Sequence, residues 1–355
     1  MTKLRRLRAH AIAQSLFQPA TLKAALRRMA FVQADPIRSP ARAQDLILRH
    51  RVKDYRAGDL ERLYPSLNLE EDILHYTYGF LLRDVWRLLH PRKTPGLTEF
   101  EKKILAAVCG AGETHPRELE AHFGRERIVN AWGGHSKATK HALEKLHYRG
   151  LLRVARRENG IRIYAAAIAS ADPMPQAERL RKLALVIANI LAPAPEKSFQ
   201  AALAPLLRRS FPDFGNSRKV LADMLCSGEL RREMIDGIAY VWPAGKPPRE
   251  EAPRKVRFLA PFDPLVWDRR RFEHLWRWSY RVEAYTPPKK RVRGYYAMPL
   301  LWGDDIIGWV NAGVIKNRLN VETGFIGKRP GGSDFRRKLD AEIARMETFL
   351  NLAVY

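Results

Sequence analysis

Cysteine is nearly absent: only Cys109 and Cys226 occur, far apart and each within an apolar helical pattern. That scarcity excludes a disulfide framework and a thiolate metal centre, and both side chains are expected to be buried, reduced thiols. No metal site or cofactor is expected. Long hydrophobic runs are missing too. The longest apolar stretch, around Leu183 to Pro193, is too short to span a bilayer, and no apolar core or small-residue cleavage site follows the basic start Met1-Thr2-Lys3-Leu4-Arg5-Arg6. A cytoplasmic protein is expected. Acidic residues are scarce as well: 38 Asp and Glu stand against 63 Lys and Arg, a formal charge of +25. The excess runs from Lys3 to Lys338 rather than sitting in a tail, which implies a polyanionic partner and nucleic acid first of all. An anionic membrane surface fits less well, since no basic stretch pairs with a strongly apolar helix face. With 46% hydrophobic and 10% aromatic residues, the 355-residue chain is folded and long enough for two to four small domains.

What is present centres on Phe31-Val32-Gln33-Ala34-Asp35-Pro36-Ile37-Arg38-Ser39-Pro40-Ala41-Arg42. Pro36 drives Asp35 out of the α region, so Phe31 to Asp35 reads as extended. Alternation then puts Gln33 and Asp35 on one side, an amide beside a carboxylate, with Val32 and Ala34 turned inward. Ser39-Pro40 reads as a helix start for Ala41 to Val52, which sets Arg38 and Arg42 near the carboxylate. An Asp before a Pro is also an ordinary turn residue, and a Gln in a short strand an ordinary solvated one.

In chain order, apolar spacing predicts helices over Leu4 to Gln14 and Ala20 to Met29. Tyr55 to Leu63 follows, and aromatic-rich Leu69 to His90 reads as one or two packed helices. Pro91, Pro95 and Gly96 mark a boundary. From Leu97 to Ala167 the pattern is a winged helix. Three helices, the third over Lys137 to Arg149 and capped by Ser136, precede a hairpin turning at Glu158-Asn159-Gly160. Its third helix offers Lys137, Lys140, His141 and Arg149 to a DNA groove or backbone. The order recurs after Pro173 and Pro175, with a hairpin turning at Asp236-Gly237. Gly245 to Arg254, containing Lys246-Pro247-Pro248-Arg249, reads as a linker. Beyond it the period becomes two, predicting strands over Val256 to Leu259, Tyr280 to Tyr285, Tyr295 to Leu301, Ile306 to Ala312 and Leu319 to Phe325, closed by a helix Asp334 to Leu352. Loops in this part carry Trp267-Asp268-Arg269-Arg270-Arg271 and Pro287-Pro288-Lys289-Lys290-Arg291. Arg269, Lys289, Lys290 and Arg291, interleaved with Trp267, Tyr285 and Tyr295, suit a nucleic-acid backbone or an unstacked base, or simply a solvated loop.

The expected class is α+β: tandem winged-helix domains followed by a small β-barrel-like domain with a terminal helix. Boundaries fall at 1–95, with the Gln-Ala-Asp motif, then 96–170, 171–246 and 254–355.

Gln33-Ala34-Asp35-Pro36-Ile37, Ala41-Arg42-Ala43, Pro261-Phe262-Asp263-Pro264-Leu265-Val266-Trp267-Asp268-Arg269 and Glu283-Ala284-Tyr285-Thr286-Pro287, with Lys290-Arg291 and Gly294-Tyr295-Tyr296, together resemble the winged-helix DNA glycosylase family of AlkZ and AlkX (YcaQ) type. The resemblance covers nearly the whole chain. It implies a catalytic Gln-apolar-Asp element at Gln33 and Asp35, double-stranded damaged DNA as partner, and excision of N-alkylated purines, including those joined in interstrand crosslinks. The family's Asp-apolar-Lys run in a late barrel strand appears here as Asn311-Ala312-Gly313. An enzyme of this kind is expected to be a monomer associated with the nucleoid. The competing expectation is a non-enzymatic winged-helix DNA-binding protein, a regulator or nucleoid factor; a structured-RNA binder is weaker, because winged helices fit B-form grooves better.

Overall fold

The computed structural model describes residues 2–129, 135–167, 174–245 and 252–352. Pro173 and the linker residues Lys246 to Arg249 lie outside the described residues. The chain opens with α1 (Lys3–Ser15) and α2 (Leu22–Met29), each started by a threonine hydroxyl, Thr2 or Thr21, that accepts a first-turn amide. A short strand β1 (Phe31–Gln33), helices α3 (Ala43–Leu48) and α4 (Asp59–Leu63), a hairpin of β2 (Leu69–Leu74) and β3 (Thr77–Leu82), and α5 (Arg83–Leu89) follow. Two expectations fail here. Ser39-Pro40 is a cis bond in a bend, Ser39 caps nothing, and α3 begins only after Arg42. Leu69 to Leu82 is a β-hairpin rather than helix, since its apolar residues serve a sheet of order β1-β3-β2. In that sheet Gln33 pairs with Gly79. A Cβ at Gly79 would collide with the Val32 carbonyl and the Phe31 ring, so only glycine lets β1 lie this close.

The next unit is α6 (Glu99–Ala111), α7 (Pro116–Phe123), the two-stranded β4 (Arg127–Val129) and β5 (His135–Lys137), α8 (Ala138–Tyr148), and the hairpin β6 (Leu152–Glu158) and β7 (Ile161–Ala166). Thr98 and Glu101 form a reciprocal capping box on α6. Ser136 lies in β5 and does not cap α8. A second run of three helices and a hairpin comprises α9 (Gln176–Leu191), the short β8 (Ala194–Pro195), α10 (Glu196–Ser210), α11 (Ser217–Cys226), β9 (Leu230–Ile235) and β10 (Ile238–Pro243). Both predicted hairpin turns are present, Asn159-Gly160 and Asp236-Gly237, with positive φ at each position. Cys109 and Cys226 are exposed, correcting the expectation of burial: their helices turn other residues, such as Val108 and Met224, to the core.

The C-terminal part is β11 (Val256–Phe258), α12 (Arg269–Trp276), β12 (Met298–Trp302), β13 (Asp305–Ile315), β14 (Arg318–Phe325) and α13 (Ser333–Phe349). Four antiparallel strands in sequential order make a curled half-barrel rather than a closed one. Tyr280 to Tyr285 is not a strand. Tyr280 packs with Phe272 and Trp278 in an aromatic cluster and donates its hydroxyl to the Ala297 carbonyl at 2.6 Å. Asp268 caps α12, accepting the Arg271 amide at 2.7 Å, so the run expected to be a loop is mostly helix.

Cores are shared between distant segments. One joins Leu26, Leu46 and Phe80 to Leu143, Phe258 and Met346; another joins α1 to Tyr240, Phe272 and Trp278. Three consecutive residues after α3 stitch the first segment to the last. Arg49 pairs with Glu342, the His50 Nε2 meets the Phe258 carbonyl at 2.8 Å, and Arg51 grips Asp263 with two bonds of 2.8 and 2.9 Å. Arg51 and Asp263 side chains are fully buried, and Ser15 and Ile47 carbonyls take further guanidinium protons. Removing one partner strands the other charge in the interior. Asp263→Ala is therefore expected to lose about 3–5 kcal/mol of stability, read as a lower denaturant midpoint. Asp263→Ala with the same midpoint as the parent chain would show the pair to be dispensable.

Candidate active site

Gln33 closes β1, and Asp35 lies two residues beyond, both half-buried. The Asp35 Oδ1 accepts the Ile37 amide at 2.9 Å, an Asx-type turn, while its own amide reaches the Gln44 Oε1 at 3.4 Å. Gln44, on α3, is buried. It had no signal in the sequence, yet it fixes the backbone at Asp35. Among the described residues Gln33's amide group makes no hydrogen bond and Asp35 makes no ion pair. Burial pushes the Asp35 carboxyl up from the ordinary carboxylate range, opposed only partly by the Ile37 amide.

Across from Asp35 stands the loop 283–296. The Asp35 charge is the leading cause that raises the Tyr285 phenol, and after burial it is the next cause at Tyr296, so both rings lie within its field. Tyr285 is 79% exposed and Tyr295 43%, two aromatic faces open to a ligand; Tyr296 is buried, its hydroxyl unpartnered among the described residues. The loop is held from inside by Glu283, whose Oε2 accepts the consecutive amides of Val292, Arg293 and Gly294 at 2.9, 2.9 and 3.2 Å. Those three donors hold the Glu283 carboxyl below its ordinary range despite its burial. Asn311 Nδ2 adds a 2.6 Å bond to the Arg293 carbonyl, and its side chain fills the space a Cβ at Gly294 would need. Glu283 opens the Glu-Ala-Tyr-Thr-Pro stretch, but nothing in the spacing announced it as the loop's anchor.

Cations at the rim divide into free and committed. Arg38, Arg269, Lys289 and Lys290 are exposed. Arg291 donates to the Thr286 carbonyl at 2.8 Å and lies 5.0 Å over the Tyr295 ring. Arg42 is paired with Glu61, so it is less free for a phosphate than its place in the sequence suggests; burial and the Arg38 and Arg157 charges lower its pKa. Lys137 is paired with Glu120, and Lys140 sits 3.9 Å from Glu144 on the same helix. Arg149 turns inward to the Pro95 carbonyl at 2.6 Å and to Glu101 at 3.4 Å, acting as a tie between α8 and the segment before α6. Trp267 is no open platform either: it stacks on buried His75, ring centroids 4.8 Å apart. Tyr76 beside it is exposed, at the β2–β3 tip near β1. Burial and the Arg209 charge pull His75 down to about 3, so its ring is neutral.

The site is thus a half-buried carboxylate that has no cationic partner among the described residues, faced by exposed aromatic rings and a basic loop. The fold is shared with a solved structure, the Streptomyces sahachiroi DNA glycosylase AlkZ, which matches at a TM-score of 0.62 and 15% identity over 99% of this chain and 98% of that one. The AlkZ-like DNA glycosylase family matches residues 26–349, and the chain belongs to it.

Because burial disfavours the charged form of Asp35, the carboxylate costs stability at neutral pH, and that cost disappears as pH falls through its raised pKa. Asp35→Asn is expected to melt at or above the temperature of the parent chain at pH 7, with the difference fading in acid. A clear loss of stability at pH 7 would mean that the ionised carboxylate is held by attractive contacts.

Proposed function

We propose that this DNA glycosylase hydrolyses the N-glycosidic bond of N-alkylated purines in double-stranded DNA, including purines tied into interstrand crosslinks, as a monofunctional enzyme acting as a monomer. Asp35 carries the reading. An N-alkylated purine already bears positive charge and leaves without a strong general acid. What remains is to stabilise the sugar as it becomes oxocarbenium-like and to deliver water to its open face. The Asp35 carboxylate does the first by charge and the second as base, in the manner of an inverting sugar hydrolase. Gln33, its side-chain amide without a hydrogen-bond partner among the described residues, holds the water. Burial strengthens the electrostatic effect, since a charge in a water-poor site acts through a lower dielectric. Tyr285 and Tyr295 offer faces for the damaged base or its neighbour, and Arg38, Arg269, Lys289 and Lys290 meet the flanking phosphates. The helix-helix-helix-hairpin units of the middle chain, read as winged helices, lay the duplex along this rim.

The second reading is a DNA-binding protein without catalysis. One observation favours it: Asp35 already serves the Ile37 amide, as a plain turn residue does.

Duplex DNA carrying 7-methylguanine, incubated with protein and then treated with alkali, separates the two. Asp35→Asn is expected to lose at least about 10²-fold in excision, the usual scale for a group acting on transition-state charge, while keeping salt-sensitive duplex binding. The parent rate should also fall in acid with a midpoint above the ordinary aspartate value, since protonation removes the active form. Full turnover by Asp35→Asn would end the catalytic assignment, and a parent chain that leaves no alkali-labile sites would favour the second reading.

A further inference from the structure

A recess of about 380 Å³ opens where the segment after α3, the edge strand β11 and the terminal helix α13 meet. It shares no lining residue with the Asp35 site. Six cationic side chains line it, Arg49, Lys53, Arg56, Lys255, Arg257 and Arg345, against one lining acid, Asp54. Three of the six have partners within the protein, although the Arg49 Nε is itself buried without a hydrogen-bond partner among the described residues. Arg49 and Arg345 share the buried Glu342, and Arg56 donates to the Thr348 carbonyl. Glu342 is further occupied by the Phe258 amide at 3.1 Å.

Of the other three, Lys53 and Lys255 are exposed and Arg257 is buried. Its side chain sits on β11 with the residue only 5% exposed, and its Nη1 is buried without a hydrogen-bond partner among the described residues. Burial pulls its guanidinium down to about 10, the attraction of Glu342 and Asp263 falling short of compensation. Next to it, burial and the Arg49, Arg345 and Arg257 charges push His50 well below its usual range, so the surrounding potential is positive. A buried guanidinium lacking an acceptor is costly and is rarely left so. An anionic, compact, oxygen-rich acceptor fits this atom best, because cations converge on the recess from three separate parts of the chain.

We propose that this recess is a phosphate-group site, in which phosphate oxygens complete Arg257 while Lys53 and Lys255 close over them from the exposed rim. A tetrahedral phosphate group presents oxygens both to the fork of a guanidinium and to the two lysines at once, which a planar carboxylate does less well. The phosphate comes either from a small free phosphate or from the backbone of a bound duplex. In the first case ligand binding ties residues 49–56, β11 and α13 together and stabilises the whole fold by linkage. In the second, the recess anchors DNA away from the reacting sugar.

Thermal unfolding of the full chain in sodium phosphate, against sodium chloride at equal ionic strength, tests the first source. Phosphate is expected to raise the Tm, with affinity falling about tenfold in Arg257→Gln. The double variant Lys53→Ala/Lys255→Ala alters exposed positions only, and so keeps the test alive if Arg257→Gln fails to fold. It should weaken the phosphate effect as well. Duplex binding over a salt series tests the second source: the lysine variant should lower the salt slope by about one for every DNA phosphate that it no longer neutralises. Equal Tm in phosphate and chloride, together with an unchanged salt slope in the lysine variant, would overturn the site. Excision at Asp35 is scored separately on the same proteins, so failure here leaves the glycosylase reading standing.

Discussion

The early and late segments of this chain meet at a fully buried ion pair. Arg51 offers Asp263 a two-pronged contact and spends its remaining protons on Ser15 and Ile47, so no polar atom of the fork goes wanting. A buried pair gains little over apolar side chains of the same size, whereas losing one partner leaves the other charge stranded, so the two segments are tied to each other's presence. Asp263 also takes the Leu265 amide, which shapes the turn leading to Asp268 and the start of α12. The same few residues therefore place the segment after α3, and with it Gln44 and Asp35, against the part of the chain that bears the tyrosine loop.

A second set of charges fixes the other flank. Glu70, Glu71 and Asp72 are consecutive on β2 and all buried. Glu70 takes Arg83 and Arg153; Glu71 takes Arg157, Arg162 and the Tyr78 hydroxyl; Asp72 takes His90 and Arg92. The three arginines from the β6–β7 hairpin thus dock it onto the first hairpin instead of reaching solvent. Much of the basic excess is internal mortar. The charges left at the rim, not the total, are what a polyanion meets.

That division explains what the sequence could and could not disclose. Phe31 to Gln33 is extended as alternation and Pro36 required, and the two glycine-containing turns form where Asn-Gly and Asp-Gly stand. The β2–β3 hairpin escaped because its tip is His75-Tyr76, with φ of 42° at His75, and carries no glycine or asparagine to announce it. Its strand also buries three acids in a row, and an alternating pattern cannot show that such acids have cationic partners some 13 to 91 positions away in the chain. Helix α12 hid behind Arg269-Arg270-Arg271, although Phe272, Leu275 and Trp276 keep helical spacing and Asp268 caps it. At the site, residue types were legible and their commitments were not: nothing local distinguishes Arg149, which ties α8 to the Pro95 carbonyl, from Arg269, which is exposed.

Asp35 is the inverse case, an acid in a cationic protein that has no cationic partner among the described residues. Arg42, near in sequence, is given to Glu61, and desolvation rather than any arginine dominates the carboxyl's behaviour. A resident counter-ion would hold the carboxylate ionised at lower cost, but it would also neutralise the field that a reacting sugar needs to feel. On the proposed reaction, the positive charge of the alkylated nucleoside spreads onto the sugar as the base departs, and the missing partner arrives only then. An interaction made more strongly in the transition state than before it is what accelerates a bond cleavage. The Ile37 amide fits this arrangement, since it occupies one oxygen, orients the other and brings no net charge. The stability given up by burying an unpaired carboxylate is thus the physical condition for the chemistry assigned to it.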